Sequence, residues 1–185
     1  MNDTLLLLKN FIKKPKEIGA IMPSSRSLTK EITKNIDFKT SKIIIELGPG
    51  LGTFTKEIMK KAPADARIIC FEVNRKFCAH LKREINDERV LIINAGAENI
   101  EAELAKIGIK TADCIISGLP FRNFSEKKRE IILNQAHSSL KENGKLTLFQ
   151  YTNGISELLE SHFKKVRRKF VALNMPPAFV YVCKK

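Results

Sequence analysis

From residue 42 onward, near-continuous apolar runs alternate with amphipathic stretches, and few architectures accept that order. "KIIIEL" (42–47), "RIICFEV" (67–73), "VLIINA" (90–95), "ADCIISG" (112–118) and "KLTLFQY" (145–151) read as buried strands. Between them, 53–62, 75–86, a short stretch near 99–107 and 125–141 read as helices, the last with Ser125 as its N-cap. Alternating strands and helices join through right-handed crossovers into a parallel sheet. Strands with no polar face need cover on both sides, so helices are expected on both faces. The tail departs from this pattern. "VRRKFVALN" (166–174) and "AFVYVCK" (178–184), split by Met175-Pro176-Pro177, read as an antiparallel hairpin that ends the sheet.

At 185 residues the chain suits one domain. The formal net charge of +13 predicts attraction to polyanions, either nucleic acid or an anionic membrane surface. Cys70, Cys78, Cys114 and Cys183 lack CxxC spacing, and three of them sit in apolar runs, which fits a reduced, cytoplasmic protein. His80, His137 and His162 are scattered, so no metal site is expected. "LLLL" at 5–8 is interrupted by Lys9, too short a run for a signal or a membrane span.

"IELGPGLGTF" links the first strand to the first helix of this core. Gly48, Gly50 and Gly52 let the backbone turn tightly and approach a ligand without a Cβ in the way. Thr53 opens a helix whose N-terminal N–H groups lack intrahelical partners. The spacing is GxGxG, unlike the GxGxxG of dinucleotide sites. Glu46 ends the first strand, and Glu72, next to Val73, ends the second. A carboxylate at that place can accept hydrogen bonds from both hydroxyls of a ribose.

Over roughly 42–151 this order resembles the class I S-adenosylmethionine (SAM) methyltransferases. The resemblance implies a Rossmann-like fold: a mainly parallel seven-stranded sheet, helices on both faces and a C-terminal antiparallel hairpin. A single domain over 1–185 is expected, with N-terminal amphipathic and lid helices in 1–36 and the core in 42–185. It further implies that Glu46 and the loop through Gly48, Gly50, Gly52 and Thr53 contact the methionine part of SAM. Glu72 and Val73 would hold the ribose side, and S-adenosylhomocysteine would be the product. Relatives often place an Asp after the third strand as acceptor for the adenine amino group. Here Gly96 stands at that place, leaving the Ala97 N–H and the Glu98 carboxylate for adenine.

"CIISGLPFRNF" (114–124) ends the fourth strand. Ribosomal RNA adenine dimethyltransferases carry Asn-Leu-Pro-Tyr or Phe here, where the Asn grips the base amine and the aromatic ring stacks on a flipped base. In this chain the Asn position is Gly118, and Phe121 either stacks on a base or packs beside the cofactor. The chain resembles the small bacterial phospholipid N-methyltransferases over nearly its whole length. "FIKKPKEIGAIMPSSRSL" (11–28), "SGLPFRNF" (117–124) and "LNMPPAFVY" (173–181) carry this likeness. It implies methylation of the phosphatidylethanolamine amine at a membrane surface. Ser117 and Gly118 carbonyls would direct the amine within the Leu119-Pro120-Phe121 turn, and Glu98 or Tyr151 would take its proton. Arg122, with Arg26 second, would meet the lipid phosphate. The alternatives are adenine methylation of RNA and a SAM-binding protein without this chemistry.

In "TLLLLKNFIKKPK" (4–16), Leu5, Leu7, Leu8, Phe11 and Ile12 share one helical face and Lys9, Asn10, Lys13 and Lys14 the other. Such a helix either lies in the headgroup layer of an anionic membrane or packs on its own domain. A peripheral place on the inner face of the membrane follows from the first reading.

Overall fold

The computed structural model describes residues 25–185. The amphipathic helix expected near the N-terminus, and the part of 1–36 before Ser25, lie outside them. Helix α1 (Arg26–Thr33) comes first, with the Ser25 hydroxyl accepting from Leu28 N at 3.2 Å. Then β1 (Ile43–Leu47), α2 (Thr53–Lys61), β2 (Arg67–Phe71), α3 (Arg75–Glu84) and β3 (Val90–Ile93) alternate. A 3₁₀ turn (Ala97–Asn99) leads into α4 (Ile100–Lys106), β4 (Ala112–Ser117) and a second 3₁₀ turn (Phe121–Asn123). The chain ends with α5 (Glu126–Ser139), β5 (Leu140–Gln150), α6 (Ser156–His162), β6 (Lys165–Val171) and β7 (Ala178–Lys184).

The sheet runs β3-β2-β1-β4-β5-β7-β6. Its first five strands are parallel and the β6–β7 hairpin is antiparallel, as the apolar runs and the Pro-containing break require. Side chains alternate between two cores. Ile45, Leu47, Ile69, Phe71 and Ile115 pack under α4, α5 and α6. Ile44, Ile68, Cys70 and Ile116 pack under α1, α2 and α3. All four cysteines are free and buried.

Two features depart from the sequence reading. Helix α6 forms on "SELLESH", a pattern too short to stand out from a loop, and its Leu159 is fully buried. The fifth strand begins at Leu140 rather than after the "KENG" turn. The extra residues form an irregularity between Ala112 and Cys114, with Asn143 at a φ of 64°. The Arg89 guanidinium closes one helix end by donating to Met59 O (2.8 Å) and Ala62 O (2.6 Å), the orphan carbonyls at the end of α2. Edge strand β6 presents Lys165, Arg167, Arg168 and Lys169 to solvent, which discourages further strand pairing.

Leu28 and Ile32 are fully buried against α2 and the sheet, so α1 is part of the core. Ile32→Ala is expected to destabilise the protein by about 3 kcal/mol, read from urea unfolding, through lost burial plus the cavity left behind. A change near zero would show that α1 detaches from the sheet.

Candidate active site

The parallel register brings the carboxyl ends of β1, β2 and β4 to one edge, with Leu47 opposite both Phe71 and Ser117. Neighbouring strands lead to opposite faces there, opening the crevice where such sheets take ligands. The loop after β1 is held by Gly48 N donating to Phe71 O at 2.9 Å. Gly48, Gly50 and Gly52 all have positive φ (70°, 56° and 80°), so the loop needs glycine on conformational grounds. A Cβ on Gly50 would meet nothing within 4 Å, which leaves open space over the loop. Helix α2 starts at Thr53 with no side-chain cap, leaving its first N–H groups toward that space.

Glu46 is fully buried. One carboxylate oxygen accepts from the Thr55 hydroxyl at 2.6 Å and lies 3.7 Å from the Cys70 thiol. The other is buried without a hydrogen-bond partner. Burial raises its pKa to about 7, opposed by the Thr55 and Cys70 hydrogen bonds, with a smaller upward push from Glu72. Glu72 accepts from Gly50 N (3.2 Å) and Asn74 N (2.8 Å), ties that oppose the upward effect of its burial. Asn94 holds the turn beyond it by donating to the Glu72 and Val73 carbonyls. The Val73 side chain is 66% exposed, an apolar group next to the carboxylate and open to a flat ligand.

Gly96 carries a further arrangement. A Cβ there would lie 2.5 Å from the Glu98 carboxylate, so Glu98 folds back into the volume that a side chain at 96 would fill. Ala97 beside it is buried. Glu98 also pairs with Lys128 of α5 at 3.5 Å. An orphaned buried oxygen, an open glycine loop, an exposed Val73 and a carboxylate over Gly96 fit a cationic amino acid joined to a nucleoside. These residues therefore suit SAM.

After β4, Ser117 is fully buried and its hydroxyl accepts from Leu119 N at 3.2 Å. Gly118 N donates to Leu47 O at 2.9 Å, and a Cβ on Gly118 would lie 3.0 Å from Gly48 O. The post-β4 turn thus sits directly on the glycine loop, with the Leu119 side chain against Gly48. Pro120 leads into the second 3₁₀ turn. Phe121 is 1% exposed and packs edge-on against Phe124 in the core, where its ring has no free face for a base. The Phe149 ring reaches within 3.9 Å of the Cβ position of Gly118. Tyr151 packs edge-on against it at 5.6 Å. Burial raises the Tyr151 pKa against a hydrogen bond from Asn174, keeping it a neutral phenol at neutral pH.

The structure separates some of the expected site residues. Ala97, next to Glu98, lies in the core under α4 and α5, whereas Tyr151 packs with the core under α1 and α2. Arg122 and Arg26 are exposed, Arg26 at the start of α1. Two contributors were missed from sequence. Buried Asn174 accepts from Ser25 N (3.0 Å) and donates to Pro176 O (2.7 Å), joining the hairpin tip to the cap of α1. Arg129 lines a cavity next to the Leu-Pro-Phe turn. It shares a helical face with Ile132, Leu133 and Ala136, and a cation on that apolar face is the signal that could have found it. Among the described residues no three His, Cys, Asp or Glu side chains gather as a cation site.

Residues 20–172 match the family model described as "Methyltransferase small domain". The chain is 28% identical over 188 residues to an ornithine lipid N-methyltransferase of Singulisphaera acidiphila, covering all of this chain and 97% of that protein. It is 32% identical over 72 residues to ribosomal RNA small subunit methyltransferase A of Mycoplasmopsis synoviae, spanning 39% of this chain and only 26% of that one. A crystal structure of 1,6-didemethyltoxoflavin-N1-methyltransferase of Burkholderia thailandensis, holding S-adenosylhomocysteine, superposes with a TM-score of 0.70. That match has 13% identity and covers 98% of this chain and 88% of the other, which makes the shared fold Rossmann-like class I.

Because the folded-state pKa of Glu46 is raised, the native state binds more protons than the unfolded chain between the ordinary carboxylate range and pH 7. Stability therefore falls as pH rises through that window. Glu46→Gln is expected to be more stable than the wild type at pH 8, by on the order of 2 kcal/mol after the unpaired amide is allowed for. Thermal unfolding should show that advantage disappearing toward pH 4. A variant less stable at pH 8 would mean that the buried carboxylate is compensated.

Proposed function

We propose, from the premise that the chain belongs to the methyltransferase small domain family and is a SAM-dependent methyltransferase, that its acceptor is the amine of phosphatidylethanolamine. The observation that carries the reading is Gly118. Its Cβ position lies 3.0 Å from Gly48 O, so the turn offers backbone and no side chain with which to grip the planar edge of a base. A flexible alkylamine needs no such grip. The end-to-end likeness to an enzyme named for a lipid amine acceptor, and the net charge of +13, support the same reading.

In this reading Glu46 meets the ammonium of the methionine part of SAM, and Gly48, Gly50, Gly52 and Thr53 meet it with backbone groups. Glu72 and Val73 hold the ribose side. The Ala97 N–H and the Glu98 carboxylate take the adenine, with Glu98 in place of a side chain at 96. SAM, when bound, supplies a methyl group on a sulfonium, open to attack by an amine lone pair. The chain's own work is positioning and exclusion of water. Ser117 and Gly118 carbonyls direct the amine N–H bonds. Leu119 and Pro120 close the turn, with Phe121 packed beneath. Tyr151, reached through Phe149, is a neutral hydroxyl that orients the amine by accepting a hydrogen bond from it, and the amine's proton passes to Glu98, the other candidate, directly or through water. Arg122 meets the lipid phosphate, and Arg26 lies on the rim for a second contact. The enzyme works from the cytoplasm as a peripheral protein on the inner membrane face. Among the described residues no helix is long and apolar enough to cross a membrane.

A second reading, adenine methylation of structured RNA, draws on the partial match to ribosomal RNA methyltransferase A. The buried Phe121 ring weighs against it.

Methyl-labelled SAM incubated with liposomes containing phosphatidylethanolamine, or with undermethylated ribosomal RNA, separates the two. Label is expected in the lipid amine; label in RNA alone would overturn the assignment. Gly118→Asn should cut lipid methylation by at least about tenfold, because its side chain would fill the amine's place and press on Gly48 O. Unimpaired turnover would refute that role of the glycine.

A further inference from the structure

A cavity of about 380 Å³ opens beside the Leu-Pro-Phe turn, between the start of α5 and the β5–α6 loop. Its lining includes Phe121, Arg122, Arg129, Gln150, Asn153 and Gly154, and it contains no carboxylate. Neither arginine has an ion pair among the described residues. The Arg129 Nε is buried without a hydrogen-bond partner. Glu130, the next residue, turns instead to His162 at 2.9 Å. A buried N–H without a partner is costly, and proteins normally satisfy such groups. Two guanidinium groups facing one acid-free hollow are a place for an anion.

The cavity is fixed relative to the amine site. Gln150 Nε2 donates to Leu119 O at 2.9 Å and to Phe149 O at 2.6 Å, pinning the turn that carries Gly118 to the end of β5. Arg122 lies on that same turn, and Arg129 rises from the first turns of α5 behind the Ser125 cap. An oxyanion held here is therefore tethered at one side of the turn.

We propose that Arg122 and Arg129 together form an anion site that holds the oxyanion of a zwitterionic headgroup, so that its alkylamine reaches Gly118. The identity of the anion as part of an acceptor rests on the lipid-amine reading. Two headgroups share this chemistry: the phosphate diester of phosphatidylethanolamine and the carboxylate of ornithine lipid. Each accepts paired N–H bonds from a guanidinium and carries its amine on a short flexible chain.

The test titrates the protein, loaded with S-adenosylhomocysteine, with glycerophosphoethanolamine, Nα-acetylornithine and inorganic phosphate, followed by NMR shifts. At least one headgroup probe is expected to bind the wild type. Its dissociation constant should rise at least about tenfold in Arg129→Gln and in Arg122→Gln, with partial recovery in Arg129→Lys. Unchanged affinity for S-adenosylhomocysteine shows that each variant is folded, and exposed Arg122 supplies a readout if Arg129→Gln is not. The tighter headgroup probe names the phosphate or the carboxylate as the natural anion. Binding of inorganic phosphate alone, no binding at all, or equal affinity in the variants would overturn the site. Methyl transfer to liposomes of each lipid is measured in parallel. Arginine-dependent binding without transfer to either lipid would sink the lipid-amine reading and leave the anion site standing. Transfer whose half-saturating lipid concentration is unchanged in both variants would do the reverse.

Discussion

A carboxylate buried near the end of β1 governs the arrangement of this site. Glu46 lies between the sheet and α2, with one oxygen held by Thr55 and the other unpartnered. Desolvation makes its ionised form costly and raises its pKa to about 7. A cation delivered to that oxygen removes the penalty and favours the charged form. The stability given up on folding is thus available as affinity for a ligand with a positive end. The glycine loop turns tightly at the end of β1 through three left-handed residues, while Gly48 still bonds to Phe71 O.

Most of the fold was legible because its signal is periodic. Five apolar runs gave five parallel strands, and the Pro-containing break gave the hairpin. Ser125 caps its helix as its side-chain chemistry predicts. Helix α6 was not legible, since seven residues give barely two turns of pattern. The cofactor loop was legible because glycine spacing and strand-end acids are local features. The Arg129 cavity was not, because it joins a helix face to a loop after the next strand, and no local pattern records that distance. Asn174 escaped for a like reason: it bonds to Ser25, 149 residues away.

Gly96 shows how a local departure can be absorbed in space. Read along the chain, it is a missing acceptor. In three dimensions the Glu98 carboxylate occupies the same volume, steadied by Lys128. A Cβ at 96 would displace the Glu98 carboxylate, the flexible end of a side chain, from the place it takes beside the backbone. Gly118 follows similar logic at the other loop. Its lack of a side chain lets the post-β4 turn rest on Gly48 O, with the Leu119 side chain beside the same glycine loop.

The charges along the crevice have a consistent polarity. Glu72 and Glu98, the latter paired with Lys128, lie on the side assigned to SAM, while Arg122 and Arg129 border the cavity proposed for the acceptor's anion, whose lining holds no acid. A zwitterionic headgroup entering this field is turned before it makes a close contact, with its anion drawn to the arginines and its ammonium toward the carboxylates. Under the proposed assignment that orientation is the one methyl transfer needs. It also explains how a turn stripped of side-chain donors can select its amine. Selectivity would then come from the distance between the proposed anion site and a backbone carbonyl, so an amine on too short or too long a tether would be held out of line even when its anion binds well.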